Sequence, residues 1–190
     1  MRVVSALLPV LALAACASTP LPPMNAASPT PKTAPDPSQA PDSLRPPAGQ
    51  APYLEALASG VQIYDCVAKP DGSGYAWKFR APEAVLVDHD GKEIGKHYAG
   101  PTWEALDGSR VVGEVKARDP GPTPATAIPW LLLAAKSNSD GSNGSGTFGA
   151  AKSIQRLSTG GGVEPAEACT AEKAGQPARV SYTATYYFYR

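Results

Sequence analysis

Val180-Ser181-Tyr182-Thr183-Ala184-Thr185-Tyr186-Tyr187-Phe188-Tyr189 alternates over its whole length. Val180, Tyr182, Ala184, Tyr186 and Phe188 fall on one face, and serine, threonines and tyrosines fall on the other. A period of two with β-branched and aromatic residues marks a half-buried strand. It closes the sequence, so it reads as a strand held within a sheet and not as a frayed end.

The same pattern recurs upstream at intervals of about ten residues. Val61–Val67, Tyr75–Arg80, Ala84–Val87, Glu93–His97, Arg110–Lys116 and Ile154–Leu157 read as strands. Asp90-Gly91 is a hairpin signal between two of them. Ala127–Ala135 is the most apolar run after residue 16; it suits a strand buried on both faces or a short core helix, and periodicity does not decide between them. Tyr53–Ala58 is read as one or two turns of helix closed by Gly60. Many short strands with little helical periodicity predict a mainly β fold: a single antiparallel β-sandwich or barrel-like domain with few short helices.

Working outward, residues 17–52 hold eleven prolines among alanine, serine and threonine. Such a segment cannot bury enough apolar surface to offset its ordering entropy, so it is expected to be a disordered, extended stalk. Before it, Met1-Arg2 and the apolar residues to Ala15 form a segment too short to span a bilayer as a helix. It ends in Leu13-Ala14-Ala15-Cys16, which reads as a lipobox. The expected organisation is a lipoprotein signal peptide over 1–15, a lipidated Cys16 and linker over 16–52, and a β-rich domain over 53–190. Ala17, where an aspartate would argue for inner-membrane retention, leaves the outer membrane as the expected location in a cell that has one. A lipid anchor makes the membrane a partner without a crossing.

Seventeen basic and seventeen acidic residues give a net charge of +0. Loss of Arg2 with the signal leaves sixteen against seventeen, and that balance makes no case for nucleic acid. With Cys16 committed to lipid, Cys66 and Cys169 are an even pair in an oxidising compartment and are expected to be disulfide-bonded, two separate buried thiols being the alternative. Asp88-His89-Asp90 reads as a solvated turn, because neighbours on an extended chain face opposite ways. Gly160-Gly161-Gly162 lacks the lysine and hydroxyl residue of a phosphate loop. Neither a metal nor a cofactor is expected.

Gly95-Lys96-His97-Tyr98-Ala99-Gly100-Pro101-Thr102-Trp103-Glu104-Ala105-Leu106-Asp107-Gly108-Ser109 concentrates the chemistry. Three readings of it stay open. His97, Tyr98, Trp103 and Glu104 would suit a shallow glycan site, peptidoglycan or a surface polysaccharide being what a tethered envelope domain meets first. Glu104 and Asp107 would serve as the acid and base of a glycosidase, or His97 as a base with Ser109 as nucleophile and Asp107 as orienter, as in an esterase. The third reading is structural: an Asp107-Gly108-Ser109 turn, a buried His97 bonded to a loop carbonyl, and Trp77, Trp103 and Trp130 as core.

Taken in order, Gly60-Val61-Gln62-Ile63-Tyr64 with Cys66, Trp77, Ala81-Pro82-Glu83-Ala84, His97–Glu104 with Asp107-Gly108-Ser109, Ile128–Leu133, Ile154–Leu157, Thr159-Gly160-Gly161 and Tyr182–Tyr189 resemble the secreted bacterial and fungal domain of unknown function 3455. The resemblance runs from about Gly60 to the end of the sequence. It implies a compartment and domain limits but no activity, and it carries His97, Trp103, Glu104 and Asp107 over as candidate positions only.

Overall fold

A computed structural model describes residues 37, 40–142 and 146–190. The signal segment, Cys16 and most of the proline-rich linker lie outside them. Eight strands follow one another as β1 (Pro52–Ala68), β2 (Tyr75–Val87), β3 (Glu93–Tyr98), β4 (Thr102–Ala105), β5 (Arg110–Asp119), β6 (Trp130–Ser139), β7 (Ser153–Gly161) and β8 (Pro177–Tyr189). Each pairs antiparallel with the next and β8 pairs with β1, closing a barrel. Of the two architectures expected, the barrel is the one formed. Closure leaves no sheet edge to be protected.

Two expectations are corrected. Tyr53–Ala58 is not helical but the beginning of the seventeen-residue β1. Ala56 and Ala58 face the lumen and are buried, and a strand paired on both sides overrides alanine's helix preference. Glycine at position 60 lets β2 approach, because a Cβ there would collide with the Glu83 carbonyl and with Ala84. Second, the stalk does not reach residue 52. Residues 40–51 lie along the outside of the barrel, with Ala40 and Leu44 buried against Leu157, Tyr187 and Tyr189. Gln155 Nε2 donates to the Leu44 carbonyl at 2.6 Å, and the Tyr189 hydroxyl donates to Gln155 Oε1 at 2.5 Å. This strap explains why β7 and β8 carry apolar or aromatic residues on both faces.

One end of the lumen is packed solid by Leu86, Val111, Phe148, Ile154 and Phe188. Phe148 comes from the loop between β6 and β7, and its ring sits 4.6 Å from that of Phe188. At the other end, Cys66 of β1 is disulfide-bonded to Cys169 in the loop between β7 and β8.

Candidate functional site

Strand alternation sorts the sequence-predicted residues. β3 and β4 form a hairpin in which His97 pairs directly with Trp103 and Lys96 with Glu104. Directly paired residues share a face, so His97 and Trp103 point into the barrel, 3% and 1% exposed. Tyr98 and Glu104, one residue along in each strand, point outward. The four therefore do not converge on one surface.

Outside, the Tyr98 hydroxyl donates to Glu104 Oε2 at 2.7 Å, and Glu104 also lies 3.2 Å from Lys96 Nζ and 3.7 Å from Arg110 Nε. The Tyr98 hydrogen bond, followed by Lys96 and Arg110, holds the Glu104 carboxyl below its usual range. A carboxylate held ionised in this way favours the role of ion-pair partner over that of proton donor. Asp107 is fully engaged in the turn between β4 and β5. Its Oδ1 accepts from the Ser109 N–H at 2.8 Å and the Ser109 hydroxyl at 2.5 Å, and its Oδ2 accepts from the N–H and hydroxyl of Thr147, both at 2.8 Å. The Ser109 hydroxyl bond is the largest of the influences that push the Asp107 carboxyl far down. Ser109 Oγ in turn accepts the Phe148 N–H at 3.0 Å. Asp107 and Ser109 thus pin the loop that delivers Phe148, and His97 is elsewhere, inside the lumen.

Beside His97 and Trp103 the barrel encloses a cavity of about 480 Å³, within the range of small-molecule sites. Its walls combine apolar side chains, among them Val115, Ile128, Leu131 and Leu133, with Gln62, Tyr64, Tyr186 and Arg156. Trp103 forms the floor, edge-on to Tyr186 at 5.3 Å and Phe188 at 6.0 Å. The mouth lies among Phe79, Arg80, Gly100, Pro101, Arg118 and Pro129, at the end where the disulfide holds the β7–β8 loop.

Polar groups in this lumen are under-satisfied. Trp103 Nε1, Gln62 Nε2 and the Tyr182 and Tyr186 hydroxyls are buried with no hydrogen-bond partner among the described residues. Tyr182, Tyr186 and Arg156 lie close enough to influence one another's titration, yet neither hydroxyl closes a bond of proper geometry. Buried orphans of this kind cost about 1–3 kcal/mol each, and three of these residues, Gln62, Trp103 and Tyr186, border the cavity, which makes it the place where an outside partner would be accommodated. His97 Nδ1 is 2.9 Å from the Thr102 carbonyl and so carries the hydrogen it donates. Burial drives the His97 pKa down to about 3, with the Arg156 charge adding to the effect against the Thr102 bond. The imidazole is neutral, and its Nε2 is an acceptor.

Gln62, Arg156 and Tyr186 escape a reading that looks for dense local motifs, since they stand on three separate strands. The available signal is parity: Arg156 follows Ile154 by two residues and is a charge on an otherwise apolar stripe.

The fold and cavity define an eight-stranded up-and-down β-barrel with a lumen open at one end. The chain belongs to the family described as Protein of unknown function (DUF3455), whose model matches residues 47–190. Comparisons with curated proteins and with solved structures give no match.

Proposed function

We propose that this chain is a lipid-anchored module of the cell envelope, exported by residues 1–15 and tethered through Cys16, whose barrel binds one small organic molecule in its lumen. The observation that carries the binding reading is the cavity itself: apolar walls of Val115, Leu131 and Leu133 surround buried donors on Trp103 and Gln62 that the protein leaves unpaired. Barrels of eight strands are just wide enough to enclose a single small guest. The lipobox and the alanine at position 17 support the tether and an outer-membrane location. Peptidoglycan or surface polysaccharide enters this reading only as a small fragment, because a polymer cannot thread a lumen blocked by Phe148 and Phe188.

Binding is tested with the mature chain lacking its lipid and the neutral dye N-phenyl-1-naphthylamine. Saturable, one-to-one fluorescence enhancement that disappears in Val115→Trp, where the indole fills the cavity, is the expected result. Absence of saturation, or equal enhancement in the filled variant, overturns it. Labelled palmitate incorporated by the native chain and not by Cys16→Ser is expected from the tether, and an unlabelled native chain removes it.

A further inference from the structure

Three arginines line the cavity and its mouth, Arg80, Arg118 and Arg156, and no aspartate or glutamate does. Arg80 is paired with Asp65 at 3.3 Å. Arg118 and Arg156 have no carboxylate within ion-pair distance among the described residues. Arg118 is exposed at the rim, where water satisfies it. Arg156 is half-buried inside, and there a charge without a counterion is costly.

Its orientation is fixed. Arg156 Nε and Nη2 both donate to the Pro129 carbonyl, at 3.1 and 2.8 Å. Two of the five N–H groups of a guanidinium are thereby used, and the others remain on a plane that cannot swing freely. Arg156 is the cross-strand partner of Tyr186 on β8 and of Leu131 on β6, so it stands between the Tyr186 hydroxyl, whose ionised form it favours, and the apolar wall. Its charge opposes protonation of His97 and favours ionisation of Tyr182 and Tyr186; at Tyr64, by the mouth, burial and then the Glu164 carboxylate outweigh it. Burial nevertheless keeps all three phenols neutral, so none of them supplies the missing negative charge. Trp103 Nε1–H and the Gln62 amide add donors and no charge. One cation held among neutral polar groups, with an apolar wall beside it, fits an acceptor-bearing anion on an apolar body.

We propose that the lumen selects a small organic carboxylate, its carboxylate paired with Arg156 and its apolar body set against the Leu131–Leu133 wall. The inference rests on the lumen being a binding site, as proposed above. A carboxylate matches the fork geometry of a guanidinium, whereas a phosphate dianion would be left under-neutralised by one buried arginine.

The test compares 2-naphthoate with 2-naphthamide, which share a ring system and differ in charge, by titration calorimetry at pH 7. The native protein is expected to bind the acid about tenfold or more tighter than the amide, as one charge-assisted pair implies. Arg156→Gln should erase that preference while still taking up the amide, and Arg156→Lys should keep part of it. Equal affinity of the native protein for the two compounds overturns the carboxylate inference and leaves the binding cavity standing. Preference retained in Arg156→Gln overturns the role of Arg156. Failure of both compounds to bind overturns the inference and the binding reading together. Should Arg156→Gln not fold, the comparison in the native protein still decides.

Discussion

The imidazole of His97 lies flat on the indole of Trp103, ring centroids 4.4 Å apart and planes 14° from parallel. Tyr186 meets the imidazole edge-on at 5.1 Å, so the ring is enclosed by aromatic faces and has one backbone acceptor, Thr102. Protonation would bury a cation beside Arg156. The folded pKa of about 3 lies below the ordinary 6.5, so below pH 6.5 the unfolded chain takes up a proton that the native state refuses. Stability from this residue is complete above pH 6.5 and is lost as pH falls toward 3, by up to about 1.4 kcal/mol per unit. Urea titrations at pH 7 and pH 4.5 should show a loss about 2–3 kcal/mol larger in the native protein than in His97→Gln. Equal losses in the two would remove His97 as the acid-sensitive element.

The β class, the closing strand and the Cys66–Cys169 pair are legible in the sequence because each depends on local alternation or on a count of cysteines. Barrel closure is not legible, since the β1–β8 pairing joins residues more than a hundred apart. The chemistry of the 95–109 stretch is legible as residue types but not as a site. Asp88-His89-Asp90 is dismissed as a cation site because neighbours on a strand face opposite ways; the same rule separates His97 from Tyr98 and Trp103 from Glu104. What separates them is the tight turn through Ala99, Gly100 and Pro101, which folds this stretch into the β3–β4 hairpin. The strap is hidden for another reason: a proline-rich composition predicts extension, and extension is also what allows residues 40–51 to lie along a barrel wall.

Asp107 and Glu104 look equivalent in sequence and should behave very differently. Asp107 accepts four hydrogen bonds from Ser109 and Thr147, whereas Glu104 makes partly exposed ion pairs with Lys96 and Arg110. Asp107→Ala is expected to cost about 2–4 kcal/mol by freeing the loop that places Phe148. Glu104→Gln is expected to cost less than about 1 kcal/mol. Denaturant titration of both variants measures the contrast; similar small costs would mean that Asp107 does not secure that end of the barrel.

Reduction of Cys66–Cys169 releases a constraint spanning 103 residues. Chain entropy puts its contribution at about 4–5 kcal/mol. A Cys66→Ser, Cys169→Ser double variant should lose an amount of that order in urea, and the native protein should match it once reductant is added. Since Cys169 sits in the β7–β8 loop by the mouth, binding of the naphthylamine dye should weaken as well. An oxidised and a reduced protein of equal stability would show that the bond is dispensable for the fold.

Leu44 gives the strap a measurable weight. It is fully buried on the outer wall with Leu157, Tyr187 and Tyr189, and its carbonyl receives the Gln155 side chain. Removing it leaves a cavity and uncovers aromatic surface, and Leu44→Ala is expected to cost about 2–4 kcal/mol. A chain begun at residue 53 would also lose the paired hydrogen bonds between Ala51 and Arg190, both 3.1 Å, that hold the end of β8. It should therefore unfold at lower urea than a chain begun at residue 37, although it lacks only Pro52, the first residue of the eight strands. Equal midpoints for the two chains would return residues 40–52 to the linker and place the start of the folded unit at β1. If the shorter chain is the weaker, the strap belongs to the domain, and the linker before it is shorter than the proline count suggests.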